Sequence, residues 1–450
     1  MTTTTAPAND PALRPMDELL DALEPVESQE AAVERIRDIE RLMGRFESVQ
    51  LNAIARLEAY RVAQEAHDNI PTAQRGKGLG AEVALARSVS PARGKQHLEL
   101  AGKLFKDMRH TGQALADGRI RAEHARAVAK ETSELSSEHR SQVDAAMQDR
   151  LGMAGPRALA QEARAHAQRL DPHTAAKRFA KAQDSRRVTT QPADDGMSKL
   201  IAIGPTPQIV AAEKSLRQWA NTQSASGATK DKHGKKRTRA QLMFDELIRR
   251  LTGESHNAKV VVEILLAMTP TTLLAHGDEP AWLVGHGPIP APIARQWLLD
   301  EDLTVQLRRV FTDPAAHELT GLESRTRAFP AGVRKMVLLR DNVCRTPYCE
   351  APIIDVDHMT PYRDGGPTNW QNASGLCAAC NQTKENRGWR HEGNATTLQV
   401  VTPTGHRYTN IPGPIIPGAM HEPQREPEPP DGHRPDRPET PDGAGHGPAP

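Results

Sequence analysis

The sequence predicts a mainly helical protein with a few strands, followed by a small cysteine-bounded module and flanked by disordered ends. Its 450 residues are 37% hydrophobic and only 3% aromatic, with abundant alanine, which favours helices packed through Ala and Leu over an aromatic β core. Apolar residues recur at three- to five-residue steps over long stretches, as on one face of a helix. All four cysteines lie between Cys344 and Cys380. A chain of this length has room for two or three domains.

Charge and hydropathy limit the classes of function. The formal net charge of +1 gives no global attraction to nucleic acid, so a DNA-binding surface has to come from local clusters of Lys and Arg. The longest apolar run, at 260–268, is interrupted by Glu263 and is shorter than the roughly 18 residues that cross a bilayer. The first residues lack the basic and apolar regions of a secretory signal. We therefore expect a cytoplasmic protein without membrane contact.

The helical domain is expected at 16–325, after a disordered segment at 1–15 that is rich in Thr, Pro and Ala. Its first helix is indicated by an apolar series: Val33, Ile36, Ile39, Met43, Phe46, Val49, Ile54 and Leu57. Ser90-Pro91 is a helix start, and a turn at Asp117-Gly118 separates a short helix from one at 122–132. Two helices joined by such a turn can dock in a DNA major groove, but the same arrangement is common in helical bundles. Both interpretations stay open.

The rest of this domain is predicted to mix helices with a few strands. The predicted helices are 141–151, 156–170, 207–221, 239–251 and one after the motif GHGPIPAPIAR; the predicted strands are 187–190, 197–203 and 259–268. The basic run KDKHGKKRTR is either a solvated linker or a contact for DNA phosphates.

The C-terminal module is expected at 326–410, with a Pro-rich disordered tail at 411–450. A helix at 331–340 leads into the cysteine segment, and strands at 397–401 and 406–409 are predicted to form a closing hairpin. Between these elements, alternating residues predict a strand around 354–359 and a second near 374–376, followed by a helix at 379–387.

The cysteines form two close pairs, Cys344-x₄-Cys349 and Cys377-x₂-Cys380. Four thiolates fill a tetrahedral Zn²⁺ site and leave no position for water or substrate, so we predict a structural zinc. Thiols in a reducing compartment stay available for a metal, which argues against disulfides. Because zinc-binding energy in such small units is folding energy, loss of the metal is expected to unfold the module.

The pattern D-H-x₂-P-x₃-G-G from Asp357, then Asn372, then C-x₂-C-N-x₂-K resembles the HNH endonuclease motif, also called the ββα-metal fold. Fourteen residues separate His358 from Asn372 and nine more lead to Asn381. The preceding region resembles the helical domain of unknown function that precedes HNH modules in bacterial proteins, through RAEHARAVA, the DDGM turn, GHGPIPAPIAR and RDNVCRTPYC. The combined resemblance covers about residues 25–410.

The resemblance implies a metal-dependent endonuclease that hydrolyses DNA phosphodiester bonds. His358 is suited to act as general base, because the unperturbed pKa of histidine lies near neutral pH. The resemblance assigns one Mg²⁺ or Mn²⁺ ion to the hard oxygen ligands of Asp357 and Asn381, and it implies that Asn372 braces the loop and orients His358. Many relatives carry His at the position of Asn381, which leaves the preferred metal open.

Four basic residues near the motif are candidate DNA phosphate contacts or, with equal weight, ordinary solvated charges: Arg363, Lys384, Arg387 and Arg390. The alternative to an enzyme is a non-catalytic zinc-containing nucleic-acid-binding protein. The Asp357-His358 pair argues against it, because binding alone requires neither residue. A nuclease toxin aimed at competing cells is a weaker interpretation, because no export signal is recognisable. DNA is the expected partner, and the sequence identifies no protein partner.

Overall fold

The computed structural model describes residues 22–193, 195–230, 234–252, 266–274, 277–299 and 328–412, with a few positions between 11 and 20. The ends expected to be disordered, 1–15 and 411–450, lie almost entirely outside these residues. The predicted fold class is confirmed: the N-terminal part is mainly helical, and the C-terminal part contains small sheets and a cluster of four cysteines. No helix among the described residues combines the length and apolar character needed to cross a membrane.

The first domain begins with a 39-residue helix, α1 (Gln29–His67), capped by Ser28, whose Oγ accepts a hydrogen bond from the Ala31 N–H at 3.1 Å. Seven further helices follow: α2 (Leu79–Ala86), α3 (Pro91–Lys106), α4 (Arg109–Ala116), α5 (Ala122–Glu131), α6 (Ser137–Ala146), α7 (Pro156–Leu170) and α8 (Pro172–Asp184). The helix expected at 141–151 therefore begins earlier and ends in a separate 3₁₀ turn, Gln148–Arg150.

The core of the bundle is built mainly from the centres of α1 and α3–α7. Its buried side chains are Leu and Ala with a few Val, Ile and Met residues, among them Leu51, Leu100, Ala125, Val128, Val143 and Leu159. The predicted first helix is confirmed, but its apolar residues before position 50, such as Ile36 and Phe46, are exposed while Leu51 and Ile54 pack into the core. The helices α4 and α5, on either side of Gly118, pack within this bundle, with Ala114, Leu115, Ala125 and Val128 in its core.

The strands predicted at 187–190 and 197–203 form an antiparallel hairpin, β1 (Arg187–Pro192) and β2 (Ser198–Ile203), with Arg187 opposite Ile203. Two helices follow, α9 (Thr206–Ala225) and α10 (Arg239–Thr252). Of the strand expected at 259–268, the residues before 266 lie outside the described part of the chain. A small antiparallel sheet contains β3 (Leu266–Ala267), β4 (Ala281–Leu283) and β5 (Gly287–Ile289). It is accompanied by α11 (Pro270–Leu274) and by α12 (Ala291–Leu298), the helix predicted after GHGPIPAPIAR.

The C-terminal module contains a helix, a hairpin, a second helix and a sheet. The helix α13 (Ala331–Asp341) packs on an antiparallel pair, β6 (Asp355–His358) and β7 (Ala373–Leu376), and α14 (Ala378–Lys384) follows. The predicted closing hairpin is present as β9 (Leu398–Val401) and β10 (Arg407–Asn410). A strand that the sequence did not indicate, β8 (Arg390–Gly393), completes the sheet in the order β10-β9-β8, and α14 ends three residues earlier than the predicted 387.

The helical domain packs directly against this module through α2. Leu85 joins Met359, Trp389, Leu398 and Val400 in one buried apolar cluster. The buried Glu82 accepts hydrogen bonds from Arg61 of α1 at 2.7 Å and from the Thr404 N–H at 3.3 Å. These contacts fix the module on the first helices of the chain.

Candidate functional site

The four cysteines form a compact buried cluster. Their Sγ atoms all lie within 4.8 Å of one another, and none of the cysteines is in a disulfide. A tetrahedral site with Zn–S bonds of about 2.3 Å has S···S edges of about 3.8 Å. The Cys349 and Cys377 Sγ atoms are 3.8 Å apart. The donor set therefore fits a structural zinc ion.

Two loops bring these thiols together. The Cys344 N–H donates to Ala351 O at 2.8 Å, which closes the loop between the first two cysteines. Cys377 caps the N-terminus of α14, where its sulfur accepts from the Cys380 N–H at 3.5 Å. Hydrogen bonds from the Cys344, Cys349 and Cys380 thiols hold the pKa of Cys377 below its usual range. A thiolate is the form that ligates a metal.

The side chains of Asp357 and His358 lie on opposite faces of strand β6. Val356 and His358 point into the core, whereas Asp355 and Asp357 are half-buried on the other face. The β6–β7 pairing continues to the last residue, with His358 opposite Ala373. His358 Nδ1 nevertheless lies 4.0 Å from Asp357 Oδ1, so the imidazole and the carboxylate border the same space at the end of the strand.

His358 is held by neighbours on the buried side. Its Nε2 lies 2.9 Å from Thr368 Oγ1, and both residues are buried. The imidazole packs on the Phe329 ring at a centroid distance of 4.3 Å and on the Tyr362 ring at 5.7 Å. These contacts restrict rotation of the imidazole about its side-chain bonds.

Asn372 joins both ends of the loop between β6 and β7. Its Oδ1 accepts from the Thr360 N–H at 2.8 Å, and its Nδ2 donates to Thr360 O at 3.0 Å and to Pro367 O at 2.9 Å. Pro367 precedes Thr368, the partner of His358. The bracing role of Asn372 stays a prediction, and these three bonds are the contacts through which it would act.

The residues of α14 are arranged differently from the expectation. The Asn381 amide nitrogen donates to Asp355 Oδ2 at 3.3 Å, so Asn381 pairs with the first aspartate of the strand. Asp357 instead pairs with the Lys384 ammonium group, which also donates to His358 O at 2.8 Å. Lys384 is only 8% exposed, which does not fit an exposed phosphate contact. It is a buried cation of the site.

The three arginines expected near DNA phosphates are exposed, and each lies near an acidic side chain. Arg363 Nη1 is 3.5 Å from Glu385, Arg387 Nη1 is 3.9 Å from Asp68 at the end of α1, and Arg390 Nε is 3.3 Å from Glu392. Exposed pairs of this kind contribute little binding energy, so all three guanidinium groups are available to an anion.

Three residues of the site were not predicted: Asp355, Thr368 and Phe329. The two-residue spacing of Asp355 and Asp357 on a strand is a signal that would have found the first of them. The sequence around Thr368 and Phe329 gives no sign of their place in the site, because tertiary packing brings both residues to His358.

A zinc-type cysteine cluster beside a strand-borne Asp-His pair and a short helix defines a protein with a nuclease module of the HNH class. The family model described as HNH endonuclease matches residues 344–387. The model of the domain of unknown function DUF222 matches residues 38–341, and the chain belongs to this family. The resemblance inferred from the motifs is thereby confirmed. The DUF222 match includes α13, which packs with the module. No curated protein and no solved structure matches the chain.

Proposed function

We propose that the protein is a metal-dependent DNA endonuclease with His358 as its general base. The proposal rests on one observation above all: a buried histidine of the HNH match has one ring nitrogen bonded to Thr368 and the other beside the Asp357 carboxylate. Binding alone needs no such arrangement.

The contact of Nε2 with Thr368 and the position of Nδ1 beside Asp357 favour Nδ1 as the base. When Nε2 carries the proton and donates to Thr368 Oγ1, the lone pair of the neutral imidazole lies on Nδ1. Nδ1 is the nitrogen that borders Asp357. In this tautomer His358 Nδ1 takes the proton from the attacking water, and the contact with Thr368 orients the imidazole ring.

Three side chains would hold the catalytic cation: Asp355, Asp357 and Asn381. Their carboxylate and amide oxygens are hard ligands of the kind that Mg²⁺ and Mn²⁺ prefer. The cation supplies positive charge to the phosphoryl oxygens during hydrolysis. Lys384 contributes a second, permanent positive charge against Asp357, so it competes with the cation for this carboxylate.

The test is cleavage of supercoiled plasmid by purified, zinc-loaded protein in Mg²⁺ or Mn²⁺. Wild type is expected to nick or linearise the plasmid, and His358→Ala to lower the rate by at least a hundredfold, a rough figure for loss of a general base. The matched control is His286→Ala, because His286 is exposed and lies outside the module. A folded, zinc-loaded wild type that is inert with every divalent metal would refute the proposal.

One observation favours the alternative of a non-catalytic zinc-containing nucleic-acid-binding protein. Lys384 already neutralises Asp357, as expected of a site that needs no divalent cation. This alternative predicts DNA or RNA binding that is lost when zinc is removed but is unaffected by His358→Ala. Binding with both properties, without cleavage, would favour it over the nuclease.

A further inference from the structure

Arg87, His97 and Arg126 of the helical domain are in contact, and Arg93 lies one helical turn before His97. Arg87 follows α2, Arg93 and His97 lie on α3, and Arg126 lies on α5. His97 is buried, with its Nδ1 at 2.8 Å from Arg87 Nη1 and 3.4 Å from Arg126 Nη2. Two guanidinium groups thus share one imidazole nitrogen.

His97 brings no charge to this cluster at neutral pH. Burial, together with the charges of Arg87, Arg126 and Arg93, lowers its pKa from 6.5 to about 4, although Glu47 acts in the opposite direction. The neutral imidazole accepts hydrogen bonds through its Nδ1 lone pair. It therefore holds the two guanidinium groups side by side without neutralising either of them.

Across the described ranges, no carboxylate forms an ion pair with Arg87, Arg93 or Arg126. The neighbouring acid, Glu47, is engaged by Arg121 at 2.9 Å and by the Ala122 N–H at 2.7 Å.

Other arginines of the same bundle show the contrast. Arg61 pairs with Glu82, Arg140 with Asp107 and Arg164 with Glu131. Within the part of the bundle that the structure describes, the cluster brings several cations together, and its neighbouring acid, Glu47, is already paired with Arg121.

We propose that Arg87, Arg93, Arg126 and His97 form an oxyanion site that binds a backbone phosphodiester of the nucleic acid. Guanidinium groups match phosphate oxygens with paired N–H donors. The site is open on one side, because Arg93 is exposed and Arg87 and Arg126 are half-buried. The Arg126 Nε is buried and has no hydrogen-bond partner among the described residues.

The position of the cluster identifies nucleic acid as the source of the phosphate. Arg87 lies two residues beyond Leu85, which belongs to the same buried apolar cluster as Met359, the residue after His358. This separation is short compared with a duplex of 20 base pairs, which is roughly 68 Å long. A duplex cut at His358 is therefore long enough to reach the cluster. This step rests on the proposed nuclease function, and the cluster would give the helical domain a part in holding the substrate.

The test is equilibrium binding of a labelled 20-base-pair duplex to the full-length, zinc-loaded protein without added Mg²⁺ or Mn²⁺, by fluorescence anisotropy from 50 to 200 mM salt. Arg126→Gln and Arg93→Gln are each expected to weaken binding about tenfold at low salt, for duplexes of any sequence. Each is also expected to make the slope of log K against log salt less negative by about 0.9, the value for one lost phosphate contact. Arg93 is exposed, so its variant keeps the test valid if Arg126→Gln fails to fold.

The matched control is Arg150→Gln, because Arg150 lies in the same domain but pairs with Glu162 at 2.9 Å. This variant is expected to bind DNA as wild type does. Salt slopes of Arg93→Gln and Arg126→Gln equal to those of wild type would overturn the proposal.

A second arm separates the two sources of phosphate. Thermal unfolding is followed with and without inorganic phosphate at constant ionic strength. If phosphate stabilises wild type but not Arg126→Gln, while both bind DNA with the same salt slope, the site takes a free phosphate and its assignment to nucleic acid is overturned.

The two proposals fail in different ways. If wild type binds DNA through the cluster but does not cut it with any of the metals tried, the nuclease proposal fails and the oxyanion site stands. If wild type cuts DNA and the arginine variants bind it normally, the oxyanion site fails and the nuclease stands.

Discussion

Replacement of Thr368 by valine is the sharpest test of how the active site is built. Valine has nearly the shape of threonine, so the change removes the hydroxyl group that lies 2.9 Å from His358 Nε2 and little else. Both residues are buried, so the orphaned imidazole N–H cannot bond to bulk water. An unsatisfied buried donor costs about 1 to 3 kcal/mol. If the imidazole escapes this cost by changing its tautomer or rotating away, the competent fraction falls by roughly 5- to 150-fold.

The assay is steady-state plasmid cleavage with kcat and KM measured separately. Thr368→Val is expected to lower kcat by about 10- to 100-fold with little change in KM, because Thr368 acts through His358 and not on the DNA. Thr368→Ser retains the hydroxyl and is expected to recover most of kcat. Equal losses in the valine and serine variants, or a loss confined to KM, would show that the hydrogen bond does not position the base.

Three further predictions concern metal and pH. Cys377→Ser is expected to reduce bound zinc, measured by elemental analysis, and to destabilise the module because metal binding contributes to its folding. The helical CD signal of the first domain is expected to persist. Full zinc content in the variant would contradict the Cys₄ site. Lys384→Met is expected to lower the Mn²⁺ concentration for half-maximal cleavage roughly tenfold or more, because the ammonium group no longer competes for Asp357. An unchanged Mn²⁺ concentration for half-maximal cleavage would exclude that competition. The pKa of His97 is about 4 in the folded protein and 6.5 in the unfolded chain, so as pH falls the unfolded chain takes up the imidazole proton first. The stability that neutral His97 contributes at neutral pH is therefore lost as pH falls from 6.5 to 4. The loss amounts to up to roughly 3 kcal/mol, and His97→Gln should remove this part of the pH dependence of urea unfolding; identical dependence in both proteins would refute it. The charged groups that face His97 are Glu47, Arg87, Arg93 and Arg126.

Much of the fold was predictable because its signals are local. The starts of α3 and α7 follow from a proline at the first helical position, and the β1–β2 hairpin follows from its turn sequence. The buried part of α1 was not predictable, because apolar residues continue along the whole helix. Only contact with other helices buries the half around Leu51. Strand β8 was missed for a similar reason. Its sequence, RHEG, has no strand pattern and is extended because it pairs with β9.

The sequence by itself determined which chemical groups the module contains. The spacing of the cysteines specifies a closed thiolate site, and Asp357, His358, Asn372 and Asn381 belong to a motif whose residue types suit hydrolysis of a phosphodiester.

Tertiary structure alone decided which group each residue meets. It pairs Asp357 with Lys384, 27 residues away, and places the Thr368 hydroxyl against His358. It also joins Glu82 to Thr404 across 322 residues and brings three arginines near His97. These partners are set by packing between distant elements, and a carboxylate or an imidazole in the sequence gives no sign of which distant side chain will satisfy it.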